Sequence, residues 1–160
     1  MRRPLPLFLL VVSVAAGCSR NVDVMQALEV TDVQTGWYDA GIQPDGKNKL
    51  VPSVSLRLRN KSAEVVSGVQ INAIFRRVNE QEAWGEHFVR AIDREGLPPG
   101  ETGRDIVLRS NLGYTGTQPR LQMLQNREFI DAKVEIYGKQ GSATWVKMAE
   151  YQIDRQLLTQ

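Results

Sequence analysis

The sequence predicts an all-β fold, an immunoglobulin-like antiparallel β-sandwich of about seven or eight short strands with one short helical segment near residues 119–125. Three observations predict it. Apolar residues recur at every second position in several stretches, the period of a strand with one wet face. Turn-forming Gly, Pro, Asn and Asp separate these stretches at short intervals. The composition is globular, 42% hydrophobic and 24% charged, which suits a packed core. An open barrel is the alternative closure of such strands.

The alternation begins at Ala27, and Leu28, Val30 and Val33 open the first strand. Residues 36–49, rich in Gly, Asp, Asn and Lys and containing Pro44, read as a loop. The clearest strand follows, with Val54, Leu56 and Leu58 on one face and Ser53, Ser55, Arg57 and Arg59 on the other. Asn60-Lys61-Ser62 ends it with turn chemistry. Val69, Ile71, Ala73 and Phe75 share the next apolar face, opposite Gln70, Asn72 and Arg76. Trp84, Phe88 and Ile92 mark another strand. Leu97-Pro98-Pro99-Gly100-Glu101 is a stop that neither a helix nor a central strand crosses. Ile106 and Leu108 form a further strand, and residues 111–116 a loop. Pro119 opens one or two helical turns reaching Gln125, since proline suits the first helical position. Ala132, Val134 and Ile136 then alternate with Lys133, Glu135 and Tyr137, residues 138–142 turn, and residues 145–153 close the domain.

The segment from Leu56-Arg57-Leu58-Arg59-Asn60, through Val69 to Phe75 and the Leu97–Glu101 turn, to Ile106-Val107-Leu108 resembles small bacterial Ig-like domains of the FxLYD and related groups. The resemblance covers roughly residues 50–110 and implies no catalytic residues.

The amino-terminal region has a different character. Met1-Arg2-Arg3 is a short basic segment, followed by an apolar run from Leu5 to Ala16. That run is shorter than the roughly 20 residues a spanning helix needs and fits the core of a secretory signal. It ends in Ala15-Ala16-Gly17-Cys18, the only cysteine of the chain. This resembles the lipobox of bacterial lipoproteins, with Ala15 where leucine is favoured. The resemblance implies cleavage after Gly17 and lipidation of Cys18. The alternative is an ordinary secretory signal that leaves Cys18 a free thiol. The domain plan is therefore a signal peptide over residues 1–17, a lipidated cysteine and short tether over 18–26, and the sandwich over 27–160. Ser19 implies export to the outer membrane under the enteric sorting rule, where aspartate would retain the protein in the inner membrane. The anchor would sit at the periplasmic face.

Arg2 and Arg3 belong to the leader, and without them the 20 basic residues fall to equality with the 18 acidic ones. A balanced body argues against a nucleic-acid partner, which needs a basic face.

Candidate chemistry is sparse. His87 is the only histidine, and the adjacent Glu86 would point to the other face of a strand. No Gly-x-Ser-x-Gly motif occurs. Glu80, Glu82, Glu86, Asp93 and Glu95 interleave with Arg76, Arg77, Arg90 and Arg94, the pattern of a solvated, ion-paired face. Asp39, Asp45 and Asn48 lack the spacing and bidentate glutamate of a calcium loop. Trp37, Tyr38 and Tyr114 are the candidate binding residues, because aromatic side chains in glycine-flanked loops anchor partners or sugars. The competing reading has them capping the ends of the core, with Trp84, Trp145 and Phe75 in the core or at its edge. An exposed strand edge could also bind a partner by sheet extension.

The expected function is a non-catalytic, membrane-anchored domain acting by protein contact as an envelope accessory or adaptor. The alternative is a ligand- or glycan-binding module built on the aromatic loops. No cofactor or metal is implied. Cys18→Ser is expected to abolish acylation and release the protein from the membrane fraction, read by intact mass and fractionation. Unchanged membrane association would reject the anchor.

Overall fold

The computed structural model describes residues 22–158; the leader, Cys18 and the start of the tether lie outside the described residues. The fold is an all-β sandwich. Its elements are α1 (Val24–Ala27), β1 (Leu28–Ile42), β2 (Asn48–Asn60), β3 (Val69–Arg77), β4 (Gly85–Ile92), β5 (Ile106–Arg109), β6 (Tyr114–Gly116), α2 (Arg120–Gln125), β7 (Ala132–Gln140), β8 (Val146–Gln152) and β9 (Leu157–Leu158). One sheet has the order β5-β2-β1-β9, with β6 also pairing β2; the other has the order β4-β3-β7-β8. Every pair is antiparallel except β1 with β9, which is parallel.

The core forms where the predicted apolar faces meet. Val54, Leu56 and Leu58 from β2 and Val69, Ile71, Ala73 and Phe75 from β3 are all at most 1% exposed. Val134 and Ile136 of β7 join them from the neighbouring position in the second sheet. Burying a side chain of this size stabilises by roughly 1.5–3 kcal/mol, so this interlayer is what holds the sheets face to face.

The first strand differs most from expectation. Residues 36–42 are strand rather than loop, and β1 pairs with β2 as far as Ile42 opposite Asn48. Gly36 serves packing here, not a turn: a Cβ at that position would stand 2.7 Å from the Leu158 side chain. The register also shifts between Thr31 and Gln34, where Asp32 adopts a φ of 52°. Asp tolerates this left-handed conformation better than most residues. One extra residue reverses the alternation, because side chains in a strand repeat every second position. Leu28 therefore faces the core before the bulge, and Trp37 does so after it.

Other differences are smaller. Among the described residues there are nine strands and two helices, the additional elements being very short. Val24 to Gln26, assigned to the tether, form most of α1, and Val24 is 2% exposed. Asp23 caps this turn, its carboxylate accepting the Met25 N–H at 3.0 Å. Phe88 lies on the outer face of β4, 55% exposed, where its ring meets Trp145 edge-on at 6.1 Å. Phe75 is core, whereas Trp145 is only half-buried, outside the interlayer.

Two of the sequence motifs form one joint. The buried Asn60 donates from Nδ2 to the carbonyls of Glu64 and Leu97, both at 2.8 Å. Its Oδ1 accepts the Ser62 N–H at 2.9 Å and the Ser62 hydroxyl at 2.7 Å. Its backbone N–H donates to the Glu101 carbonyl, and its own carbonyl accepts the Gly100 N–H. Every polar group of the residue is thus used in a site closed to water. Asn60→Asp, nearly isosteric, is expected to cost about 3 kcal/mol or more, because a carboxylate would face two carbonyls it cannot donate to. Urea denaturation checks this; a loss no greater than that of a surface substitution would show that the joint is dispensable.

Candidate functional site

The aromatic residues converge at the end of the sandwich that carries α2. Trp37 is fully buried, and its ring meets Phe129 at 4.7 Å, Tyr114 at 5.7 Å and Trp84 at 6.2 Å. Tyr114 lies 4.6 Å from Phe129 and 4.9 Å from Trp84. The cluster plugs the end of the interlayer. Tyr114 and Phe129, with the buried Met123, also form the wall of an open cavity of about 210 Å³. Gln118, Asn126 and Glu128 stand around it. Its chemistry is an apolar wall with amide and carboxylate groups at the rim, a mixture suited to holding a small polar ligand against rings.

Local structure explains the position of each wall residue. Tyr114 opens β6, which pairs with β2 at Leu50. Its hydroxyl donates to the Ile130 carbonyl at 3.0 Å. Burial raises the pKa of this phenol, and the nearby Arg77 only partly offsets the effect, so Tyr114 is a neutral hydrogen-bond donor. Met123 and Leu124 supply the buried side of α2. An ion pair between Arg120 and Asp39 fastens the helix to β1.

Phe129 is held by the segment between α2 and β7, which Arg155 grips from below. The Arg155 guanidinium bonds both carboxylate oxygens of Asp131, at 2.5 and 3.2 Å. It also donates to the Phe129 carbonyl at 2.9 Å and the Leu124 carbonyl at 3.4 Å. The same guanidinium lies 5.2 Å from the Phe129 ring centroid. A planar, multiply donating group suits this fastening in a way a lysine would not.

The three aromatic candidates have different fates. Trp37 is excluded from ligand contact, because the β1 bulge turns it into the core. Tyr38 consequently faces the other way and stacks under the Arg109 guanidinium at 3.6 Å from its ring centroid. Tyr114 alone lines the cavity. Sequence reasoning missed Phe129 and Met123. Phe129 escapes the criterion that selected Tyr114, because residues 125–131 contain no flanking glycine and are mostly polar.

The remaining candidates have structural partners. His87 lies on the edge strand β4, and its Nδ1 accepts the Arg109 N–H of β5 at 2.9 Å. That contact, with the Arg109 carbonyl also 3.1 Å from Nδ1, ties the margins of the two sheets. Asp39 pairs with Arg120, Asp45 pairs with Lys47, and Asn48 donates to the Gln118 carbonyl. Among the described residues no group of three or more His, Cys, Asp or Glu is placed to hold a metal.

Glu135, on the outer face of the second sheet, is the most buried carboxylate, at 8% exposure. Burial is the largest single influence on it and opposes ionisation. The hydrogen bonds from Lys147 and Arg76 together outweigh burial and hold its pKa below the ordinary glutamate value. It is a charged strut at neutral pH, not an acid poised to give up a proton.

No protein-family model and no curated protein matches the chain. Among solved structures it is similar to the X-ray structure of the Northeast Structural Genomics Consortium target SoR45, at 12% identity and a TM-score of 0.43 over 81% of this chain and 88% of that one. It is also similar to the crystal structure of a Bordetella pertussis protein provisionally named ApaA, at 17% identity and a TM-score of 0.36 over 79% and 91%. Neither likeness is close enough to transfer a function.

Arg155→Met keeps most of the stem and removes the donors. It is expected to raise amide exchange in residues 126–131 at least tenfold while leaving β2, β3 and β7 protected, since about 1.4 kcal/mol of lost local stability gives that factor. Unchanged exchange in this segment would show that Arg155 does not hold the cavity wall.

Proposed function

We propose that this chain is a lipid-anchored envelope protein whose sandwich is a non-catalytic contact domain, engaging a protein partner through the end that carries α2. One observation carries this reading. Four of the exposed large apolar side chains lie at that end: Ile42 at 68%, Leu121 at 60%, Leu112 at 48% and Ile130 at 41% exposure. They belong to four separate segments that converge there. Asn48 bonds to Gln118, Asp39 pairs with Arg120, and Tyr114 bonds to Ile130. Apolar side chains gathered on an otherwise polar surface favour association with another protein.

The anchor part of the reading rests on the leader and on Cys18. Lipid on Cys18 would keep the domain at the membrane, and Ser19 favours the periplasmic face of the outer membrane. The balanced charge of the body favours a protein partner over nucleic acid.

A second reading, small-ligand or glycan binding, is favoured by the cavity formed by Tyr114, Met123 and Phe129. The two readings share one end of the molecule and are separable by experiment.

A photo-crosslinking residue placed at Leu121 or Ile42 in cells is expected to yield one discrete adduct with an envelope protein, lost on adding Leu112→Glu. The same residue at Phe88, on the outer face of the second sheet, serves as control and is expected to yield none. Absence of adducts at Leu121 and Ile42 would reject the contact reading. Saccharide-induced NMR shifts confined to Thr115, Gln118 and Asn126 would then select the ligand reading.

A further inference from the structure

Resting on the lipid-anchor reading, we infer that the end of the sandwich carrying α1 is a membrane-docking surface whose partner is the bilayer itself. The argument starts from chain length. Only Ser19, Arg20 and Asn21 separate Cys18 from Val22. At roughly 3.3–3.6 Å per residue, Val22 lies no more than about 14 Å from the lipidated residue.

Val22 is not free to move away from the body. Its N–H donates to the Gln140 side chain at 2.6 Å, and the Gln140 amide donates to the Ser67 carbonyl at 2.9 Å. Gly141 bonds to Gly68, and Gly68 to Asp93. One chain of hydrogen bonds therefore joins the start of the domain to the β7–β8 turn, the β2–β3 connection and the end of β4. Whatever holds Cys18 in a bilayer brings all four segments to its surface together.

This end presents suitable side chains. Val65 is 55% exposed, Met25 41% and Val146 39%. They project from the β2–β3 connection, from α1, which begins two residues after Val22, and from the start of β8 just past the β7–β8 turn. Shallow insertion of such residues at the headgroup boundary removes them from water. Charge does not drive the docking. Arg20, Lys61, Arg94 and Lys139 are offset by Asp23, Glu64, Asp93 and Glu95. Anionic lipid is therefore not required. In this orientation the α2 end points away from the membrane, where a partner can reach it.

The test uses the full-length lipidated protein in vesicles of phosphatidylethanolamine and phosphatidylglycerol, and again in phosphatidylcholine alone. Intact mass first establishes acylation of Cys18. Because the chain has no other cysteine, Val65→Cys, Val146→Cys and Leu121→Cys each provide one thiol for a polarity-sensitive nitrobenzoxadiazole label. These positions are exposed, and circular dichroism confirms that each variant folds. Quenching by nitroxide-labelled lipid is expected to be several-fold stronger at positions 65 and 146 than at 121, and equal in both vesicle types. Acylated protein with no such contrast would overturn the docking surface and leave the anchor standing. A contrast lost in phosphatidylcholine would overturn its apolar basis. Protein without acyl chains would overturn the anchor reading and this inference with it.

Discussion

The side chain of Asn60 is the interaction on which the architecture depends. The chain crosses from one sheet to the other between β2 and β3, and crosses back between β4 and β5. Both crossings pass Asn60, which bonds to Glu64 and Ser62 in the first and to Leu97 in the second. Backbone bonds to Gly100 and Glu101 complete the joint. The interlayer core supplies most of the stabilisation, but hydrophobic burial has no direction. A buried residue with every donor and acceptor used does have one, and it fixes which connection sits against which.

The opposite end uses the same device with a different residue. There the chain crosses from β6 through α2 to β7, and again from β8 to β9. Arg155, in the second of these connections, holds the first through Asp131, Phe129 and Leu124. Asn60 works in a dry site with short reach. Arg155 works at a half-exposed margin, where a long stem and several donors suit carbonyls that are spread apart. The Phe129 wall of the cavity is built on the second of these fasteners.

Much of this fold was legible in the sequence, and the exceptions have physical causes. The faces of β2, β3 and β7 followed directly from alternation, because no bulge interrupts them where they cross the core. Both halves of the Asn60 joint were visible as turn motifs, but their contact was not, since residues 60 and 97 meet only in three dimensions. In β1 the pattern failed at Asp32, where one added residue reverses the phase without altering composition. Gly36 looked like a turn because a close approach by another chain segment leaves the same residue behind. At the candidate site Tyr114 was legible, and Trp37 follows the competing reading of an aromatic that caps the end of the core. Phe129 was hidden by the polar residues around it.

The parallel pairing of β9 with β1 bears on the order in which the protein can be completed. Trp37 donates its backbone N–H to Gln156, and the Gln156 side chain returns to Thr35, 121 residues earlier. A ribosome or a translocation channel delivers a chain from its amino terminus. The outer margin of β1 therefore emerges about 120 residues before the segment that pairs with it. Long-range pairing of this kind is slow to form and leaves strand edges open to other chains meanwhile. The margin of β1 from Thr35 to Tyr38 is therefore completed only when residues 156–158 reach it, which makes that pairing a late event in folding.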